Sequence, residues 1–331
     1  MCRLLAYAGP PIFLASLLTE PRSSLIAQSM AARQARTAVN GDGSGIGWYG
    51  EHSDPGLYRS IVPAWSDANL VSLCRQIRSP LFMAHVRAAT GGEVSTANCH
   101  PFTDGRSLFI HNGQIGDYGR LRRKIEALIA DDVYPLRQGS TDSEAIFLAA
   151  CSAGLGENPA GAFAGTLARI AAIRDLSRPV AARGSKRMAT PLAHQPVASA
   201  TRQTSNAAAP ATAASSDQAL EHPSPCEADE SGAIRFAAVH VDGSRLTAYR
   251  WADDGRPPSL YWRRIGDATA QGTVIASEPC DEGAEGWNRV PPSSMLTAWP
   301  DGRMTLAPFE PVLAERTTPR HGGTRSTLNA G

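Results

Sequence analysis

Alternating hydrophobic and polar positions predict β-strands in two parts of the chain. In LFMAHVRAAT, residues 81–90, Met83, His85 and Arg87 fall on one face while apolar residues fall on the other. SLFIHNGQI, residues 107–115, has the same character. Strand-like stretches return later as IRFAAVHVDGSRLTAYRW, SLYWRRI and GTVIASEP, separated by DG and PP turn signals. We expect these late stretches to complete a sheet.

Apolar residues at helical spacing predict three helices among these strands. SDANLVSLCRQI places Leu70, Leu73, Cys74 and Ile77 at i, i+3, i+4 and i+7. DYGRLRRKIEALIADD carries a similar stripe, and a third helix begins at STDSEAIFLAACSAG and ends at Gly154. Helices mixed with strands predict an α+β fold.

The chain is predicted to form a single domain over residues 2–313, interrupted by one insertion. At about 180–230 the sequence is rich in Ala, Ser, Thr and Pro and has no Phe, Tyr or Trp. Such a composition cannot bury enough apolar surface to order itself. We therefore expect a disordered insertion there, and a disordered tail over residues 314–331.

The composition argues against several classes of function. A formal net charge of +1 over 331 residues gives no footprint for nucleic acid or an anionic membrane, and no apolar run approaches the roughly 18 residues of a membrane span. The six cysteines include no CxxC pair and do not suggest a disulfide framework. The apolar run after Arg3 is interrupted by Pro10 and Pro11 and lacks a small-residue cleavage site, unlike a signal peptide. We expect a cytoplasmic protein with reduced thiols.

Cys2 is the first candidate for chemistry, because removal of Met1 would make it the N-terminal residue. A thiol with an ordinary pKa of about 8.5 and an α-amine of about 7.7–8.0 would then share one residue, and the amine could act as the base. The alternative is a small buried hydrophobic residue, the commoner role of a free cysteine. Position alone favours that alternative, so the interpretation depends on the other motifs.

Two strand-borne motifs could complete such a site. In HVRAAT, a buried Arg87 needs an anion, either a protein carboxylate or a substrate carboxylate. His85 is either a general base or a structural histidine. In HNGQI, Asn112 and Gly113 form either a turn or an oxyanion hole, in which an amide side chain and a backbone N–H point to one spot.

The segment GSTDSEAIF also has two readings that are compatible. Thr141 and Glu144 match a capping box at the start of the third helix. The same helix start would hold Asp142 rigidly, and a carboxylate there could bind a substrate ammonium. We therefore include Asp142 among the candidate binding residues.

Phosphate and metal binding are not expected. The glycine-rich NGDGSGIGWYG does not open a helix, so it predicts close backbone approach around a pocket. Cys99, His100 and His111 could suggest a metal, but no ligand pairs have zinc spacing.

The order of these motifs along the chain is more specific than any one of them. Cys2, NGDGSGIGWY, HVRAAT, NCHPF, HNGQI and GSTDSE together resemble the class II glutamine amidotransferases of the Ntn-hydrolase superfamily over roughly residues 1–155. Within that family the chain resembles stand-alone members, namely the amidotransferase subunit of the fungal glutathione-degrading complex and the γ-glutamyl hydrolase of ergothioneine biosynthesis. PAWSDANL, NCHPF and QGSTDSE favour the first.

The resemblance implies a fold and a catalytic group. The fold would be a four-layer αββα sandwich of two mainly antiparallel sheets. Cys2 would be the nucleophile with its own α-amine as base, and Asn112 and Gly113 would form the oxyanion hole. The reaction would hydrolyse a γ-glutamyl amide through a thioester, with neither cofactor nor metal.

The resemblance also implies how the substrate is bound. Arg87, with Thr90 as a possible second contact, would hold the substrate α-carboxylate, and Asp142 would hold the α-ammonium. His85 lies on the same strand as Arg87 and completes the set of substrate-side candidates.

Three functions remain open from the sequence. The chain could be a γ-glutamyl amide hydrolase, acting alone or in a complex on glutamine, glutathione or a related small molecule. It could instead be a glutaminase that passes ammonia to a separate synthase subunit, or a non-catalytic γ-glutamyl-binding module. Either a separate partner or a homo-oligomer is compatible with the sequence.

Overall fold

A computed structural model describes six segments of the chain, residues 2–33, 39–89, 93–177, 232–267, 270–281 and 285–312. Thr90, the insertion expected at about 180–230 and the tail expected at 314–331 lie outside the described residues. The expected domain limits and the expected disorder therefore stay predictions.

The described residues form thirteen strands and six α-helices. The strands are β1 (Arg3–Phe13), β2 (Ser44–Tyr49), β3 (Gly56–Ser60), β4 (Arg78–Val86), β5 (Phe102–Thr103), β6 (Leu108–Ile115), β7 (Ile234–Val241), β8 (Leu246–Ala252), β9 (Tyr261–Gly266), β10 (Gln271–Ala276), β11 (Asn288–Arg289), β12 (Ser294–Ala298) and β13 (Met304–Pro308). The helices are α1 (Ala15–Leu18), α2 (Leu25–Met30), α3 (Ala68–Gln76), α4 (Tyr118–Glu126), α5 (Asp142–Ser152) and α6 (Pro159–Ser177). Among them, no helix combines the length and the apolar character needed to cross a bilayer.

The strands form two antiparallel sheets. The first has seven strands in the order β11-β9-β10-β1-β4-β2-β3, and the second has six in the order β13-β12-β8-β7-β6-β5. Strand β1 lies at the centre of the first sheet, between β4 and β10. The residues that lead into β1 therefore lie in the middle of the fold.

Side-chain alternation along the central strands explains why the two sheets face each other. In β1, Leu4 and Ala6 belong to a buried cluster shared by both sheets, whereas Leu5 and Tyr7 belong to a cluster on the opposite face. Met83 of β4 points into the shared cluster. Both faces of these strands are apolar because both faces are covered.

Helices cover the two outer faces. Helices α1, α2 and α3 pack on the outside of the first sheet, and α4, α5 and α6 pack on the outside of the second. Four aromatic rings, Phe109, Phe147, Phe163 and Phe236, stack at the second of these contacts. The molecule is therefore an αββα sandwich, which confirms the expected α+β fold class.

Candidate active site

The start of β1 and the end of β4 meet at one end of the central strands of the first sheet. Arg3 pairs with Val86, so Cys2 and Arg87, one residue beyond each strand, lie next to each other. The Cys2 Sγ accepts a hydrogen bond from the Ala88 N–H at 3.3 Å and lies 3.5 Å from the Ala88 carbonyl oxygen. Antiparallel pairing thus places the thiol against the HVRAAT motif.

Cys2 is partly buried, and its surroundings keep the thiol protonated at neutral pH. Burial raises the pKa of the Cys2 thiol. The hydrogen bond from Ala88 and the positive charge of Arg87 oppose that shift without reversing it. A reaction that starts at this sulfur therefore needs a base that takes the thiol proton.

The glycine-rich loop before β2 holds the segment that follows β4. Asp42 accepts a hydrogen bond from the Ala89 N–H at 2.7 Å, and the backbone of Arg87 bonds to Gly43 and Asp42 at 2.8 and 3.0 Å. In β2, a β-carbon at Gly45 would overlap the carbonyl oxygen of His100. The expected close backbone approach at this motif is confirmed, because only glycine leaves room for the neighbouring chain.

Two oppositely charged side chains at the site lack a counter-charge among the residues that the structure describes. Arg87 is 4 % exposed, and its guanidinium forms no ion pair within the described segments. Asp142 is held by two backbone N–H groups, Ile115 to Oδ2 and Ser143 to Oδ1, each at 2.8 Å. Since no cationic side chain of the described residues pairs with Asp142 either, both charges are available to a ligand.

The start of α5 is fixed by more contacts than a capping box provides. The Thr141 Oγ accepts from the Glu144 N–H at 3.2 Å, as expected for the N-cap. The Glu144 carboxylate does not return to Thr141. It accepts instead from the N–H groups of Gln138 and Gly139, both at 2.8 Å, and pairs with Arg137 at 3.3 Å. The expected capping box is therefore only half formed, and Glu144 stabilises the loop that leads to Asp142.

Asn112 and Gly113 lie inside β6 and do not form a turn. The Asn112 Nδ2 donates to the Cys2 carbonyl oxygen at 3.0 Å, so the amide bridges from the second sheet to the residue that carries the thiol. Gly113 has φ 151°, and a β-carbon there would overlap the carbonyl oxygen of Arg235. Backbone geometry thus requires glycine beside the asparagine.

His85 supports Asn112 and does not line the cavity at Cys2. Its Nε2 lies 3.2 Å from the Asn112 Oδ1. The amide nitrogen of Asn112 already faces the Cys2 carbonyl, so the ring nitrogen must be the donor to Oδ1. Burial lowers the pKa of His85 to about 3, which keeps the ring neutral.

The position of His100 at the cavity was not predicted from the sequence. Its side chain is 4 % exposed and lines the cavity, and neither ring nitrogen has a hydrogen-bond partner among the described residues. The ring lies 4.1 Å, centroid to centroid, from that of His85. The NCHPF motif was the available signal, although nothing in it shows that the ring faces a pocket.

A cavity of about 100 Å³ brings most of the candidate residues together. It is lined by Cys2, Arg87, Ala88, Ala89, His100, His111, Gly113, Gln114, Thr141, Asp142, Ser143, Arg235 and Pro258. A larger open groove of about 530 Å³ lies beside the start of α3, around Trp65 and Arg75, and none of the candidate residues lines it. No cluster of three metal-ligating side chains occurs in the described part of the chain.

The fold and the position of Cys2 define a class. A cysteine stands directly before the central strand of a sandwich of two antiparallel sheets between helices, which is the architecture of the N-terminal nucleophile type. A family model described as glutamine amidotransferases class-II matches residues 1–190, more than half of the chain. The chain belongs to this family.

Curated relatives support the same assignment. A probable glutamine amidotransferase of Saccharomyces cerevisiae, DUG3, is 42 % identical over 156 residues, which is 44 % of this chain and 44 % of the yeast protein. A gamma-glutamyl-hercynylcysteine sulfoxide hydrolase of Mycolicibacterium smegmatis is 38 % identical over 117 residues, 35 % of this chain and 52 % of that enzyme. The chain thus spans about half the length of these curated relatives.

Solved structures match over nearly the whole chain. A glutamine aminotransferase class-II domain protein from Silicibacter pomeroyi is 30 % identical with a TM-score of 0.59, covering 94 % of this chain and 100 % of that one. The glutamine phosphoribosylpyrophosphate amidotransferase of B. subtilis has a TM-score of 0.54 at 14 % identity, covering 93 % of this chain and 49 % of its own, and shows the fold alone.

Proposed function

We propose that this chain hydrolyses the amide bond of a γ-glutamyl compound through a thioester on Cys2 and releases glutamate. The observation that carries the proposal is the placement of Arg87 and Asp142 around one cavity with the Cys2 thiol. Neither charged side chain has a counter-charge in the described part of the chain. A γ-glutamyl group ends in an α-carboxylate and an α-ammonium, the two charges that this pair complements.

Recognition of these two charges would direct the scissile bond to Cys2. The Arg87 guanidinium would hold the α-carboxylate through its planar fork, and the Asp142 carboxylate would hold the α-ammonium. The γ-carbonyl would then face the Cys2 sulfur. Thr90 lies outside the described residues, and its contribution to carboxylate binding stays a prediction.

The reaction begins with loss of the thiol proton. With Met1 removed, the α-amine of Cys2 takes that proton, and the sulfur attacks the γ-carbonyl carbon. The second N–H of the Asn112 amide and the N–H of Gly113 would hold the oxyanion, while His85 keeps the Asn112 amide in place. The leaving amine receives the proton from the α-ammonium, and water then hydrolyses the thioester to glutamate and the free thiol.

The leaving group is proposed from the relatives. The names of the yeast and mycobacterial proteins point to glutamine or another small γ-glutamyl compound as substrate. The second candidate function is a glutaminase that passes ammonia to a separate subunit, supported by the amidotransferase name of the yeast relative. A homo-oligomer would fit either function.

The proposal also includes a reducing, cytoplasmic compartment. A thiol nucleophile must stay reduced to act. In support, the five described cysteines, Cys2, Cys74, Cys99, Cys151 and Cys280, are all free thiols.

Glutamate release from glutamine, glutathione and a panel of γ-glutamyl amines tests the proposal, with Cys2→Ala as the inactive control. Fast release from one compound that Cys2→Ala abolishes would establish a dedicated hydrolase. Slow release from glutamine alone would favour the ammonia-delivering subunit. If neither the wild type nor Cys2→Ala released glutamate from any compound, a non-catalytic γ-glutamyl-binding module would instead be favoured.

A further inference from the structure

His111 lies at the cavity but has no place in the chemistry proposed above. It is 2 % exposed, and its ring packs against those of Phe109 and Phe236, with centroids 6.3 and 5.2 Å away. Its Nε2 lies 3.1 Å from the carbonyl oxygen of Arg235, and its Nδ1 lies 2.8 Å from the Ser143 Oγ. Both ring nitrogens are thus engaged.

These two contacts determine which ring nitrogen carries the proton. A carbonyl oxygen only accepts, so Nε2 must be the protonated nitrogen that donates to Arg235. Burial lowers the pKa of His111, although the Asp142 carboxylate opposes the shift, so the ring is neutral. The bare Nδ1 of the neutral ring must accept, and the Ser143 hydroxyl is its donor.

The direction in which the Ser143 hydroxyl points determines how many hydrogen bonds the Asp142 carboxylate accepts. The Ser143 Oγ also lies 3.4 Å from the Asp142 Oδ1. A hydroxyl can donate only one hydrogen bond, and the Ser143 hydroxyl donates it to the Nδ1 of His111. Asp142 therefore receives only two backbone N–H groups, from Ile115 and Ser143, and keeps its remaining lone pairs for a ligand. If His111 were protonated at both nitrogens, the Ser143 hydroxyl would turn towards Asp142 and occupy one of the lone pairs of its carboxylate.

We propose that His111 is a positioning residue that holds the Ser143 hydroxyl proton away from Asp142, and so makes the site selective for γ-glutamyl groups with a free α-amine. This inference rests on the proposed function, because it assumes that Asp142 receives the substrate ammonium. His111 does not need to touch the reacting atoms.

Binding of L-glutamate and of glutarate, the same diacid without the α-amine, tests the inference. Calorimetric titration of the Cys2→Ala chain separates binding from turnover. His111→Phe fits the surrounding aromatic rings but releases the Ser143 hydroxyl. We expect it to weaken glutamate binding about tenfold, as for one weakened charge-assisted hydrogen bond, and to leave glutarate binding unchanged.

The Ser143→Ala change is the matched control. Alone it should alter glutamate affinity less than about threefold, because both backbone donors to Asp142 remain. Added to His111→Phe it should restore glutamate affinity, since no hydroxyl is left to turn towards Asp142. A merely structural role for His111 would give no such rescue. Equal weakening of both ligands, a double variant no better than His111→Phe, or binding of neither ligand by the Cys2→Ala parent would overturn the inference.

The protonated ring nitrogen can be measured without any change at His111. In the wild-type chain with ¹⁵N-labelled histidine, NMR should show a protonated Nε2 and a bare Nδ1 at His111, and a protonated Nδ1 at neutral pH would contradict the inference. Failure of the proposed function is seen separately, as the absence of glutamate release that depends on Cys2.

Discussion

At the scale of single residues, the amide of Asn112 is held at both of its ends. Its nitrogen donates to the Cys2 carbonyl and its oxygen accepts from His85. Because the pKa of His85 is lowered to about 3, the ring keeps the same protonation state throughout the neutral range. A flipped amide would lose both contacts, so the donor stays aimed beside the nucleophile.

Replacing Asn112 with alanine should lower kcat by about 10²–10³, the loss typical of one oxyanion donor. KM should change much less, because Asn112 does not contact the charged end of the proposed substrate. Steady-state kinetics of glutamate release measures both. A variant with near-wild-type kcat would show that the oxyanion assignment is wrong.

The Arg87→Lys change should raise KM about tenfold, with a smaller effect on kcat. Lysine keeps the charge but offers a single point in place of a planar fork for the α-carboxylate. Arg59→Lys is a suitable control, because Arg59 does not line the cavity. An unchanged KM for Arg87→Lys would show that the guanidinium does not bind substrate.

Much of the site could be predicted from motifs, because strand alternation and motif order bring Cys2, Arg87, Asn112, Gly113 and Asp142 into one region. Their shared placement agrees with the structure, while their chemical roles stay predictions. The contributions of other side chains could not be predicted. The contributions of His85 and His111, for example, depend on which ring nitrogen faces which acceptor in the packed structure. The sequence alone does not give this arrangement.

At the scale of elements, the loop before α5 links two motifs, QGSTDSE and NCHPF. Glu144 binds Gln138, Gly139 and Arg137 around the turn into the helix. Asn98 of NCHPF accepts from the Ser140 N–H at 2.8 Å. The position of Asp142 is thus set by the folding of the loop as a whole.

Glu144→Ala should lower the free energy of unfolding by about 3 kcal/mol, because it leaves Arg137 without one buried partner and two N–H groups without an acceptor. It should also raise KM, since Asp142 follows the same loop. Urea denaturation measures the first effect. Arg303→Ala, which breaks an exposed ion pair with Asp301, should change stability by less than about 1 kcal/mol. Similar losses for both variants would contradict the account.

The predicted elements agree with the structure, but several others were not predicted, among them β1 and α6. The predicted strands at 81–90 and 107–115 correspond to β4 and β6, and the three predicted helices to α3, α4 and α5. Strand β1 was missed because a strand buried on both faces has no alternation to detect. Helix α6 was missed although Phe163, Leu167 and Ile170 have helical spacing and are buried, because its many alanines blur the apolar stripe.

At the scale of the whole molecule, the four-layer sandwich buries several histidines and thereby keeps their rings neutral. Burial lowers the pKa of His240 to about 4 as well as that of His85 to about 3. Below the ordinary histidine pKa of about 6.5 the unfolded chain binds protons that the folded chain does not. Stability should therefore fall as the pH falls from about 6.5 towards these lower values.

His240→Phe should reduce this pH dependence. The ring lies against Phe163 and does not line the cavity at Cys2, and phenylalanine preserves the packing. Between pH 7 and pH 5 the variant should lose on the order of 1–2 kcal/mol less unfolding free energy than the wild type. Urea denaturation at the two pH values tests this, with the exposed His52→Gln as control. Equal losses in all three chains would contradict the prediction.

The central claim is that a γ-glutamyl group becomes attached to an N-terminal Cys2. Mass spectrometry of the N-terminal peptide, after rapid acid quench of the chain during turnover of its best substrate, measures this most directly. We expect a peptide that begins at Cys2, lacks Met1 and gains the mass of one γ-glutamyl group, with no gain for Cys2→Ala. A peptide that retains Met1, or glutamate formation without any adduct on Cys2 in a chain trapped at steady state, would contradict it.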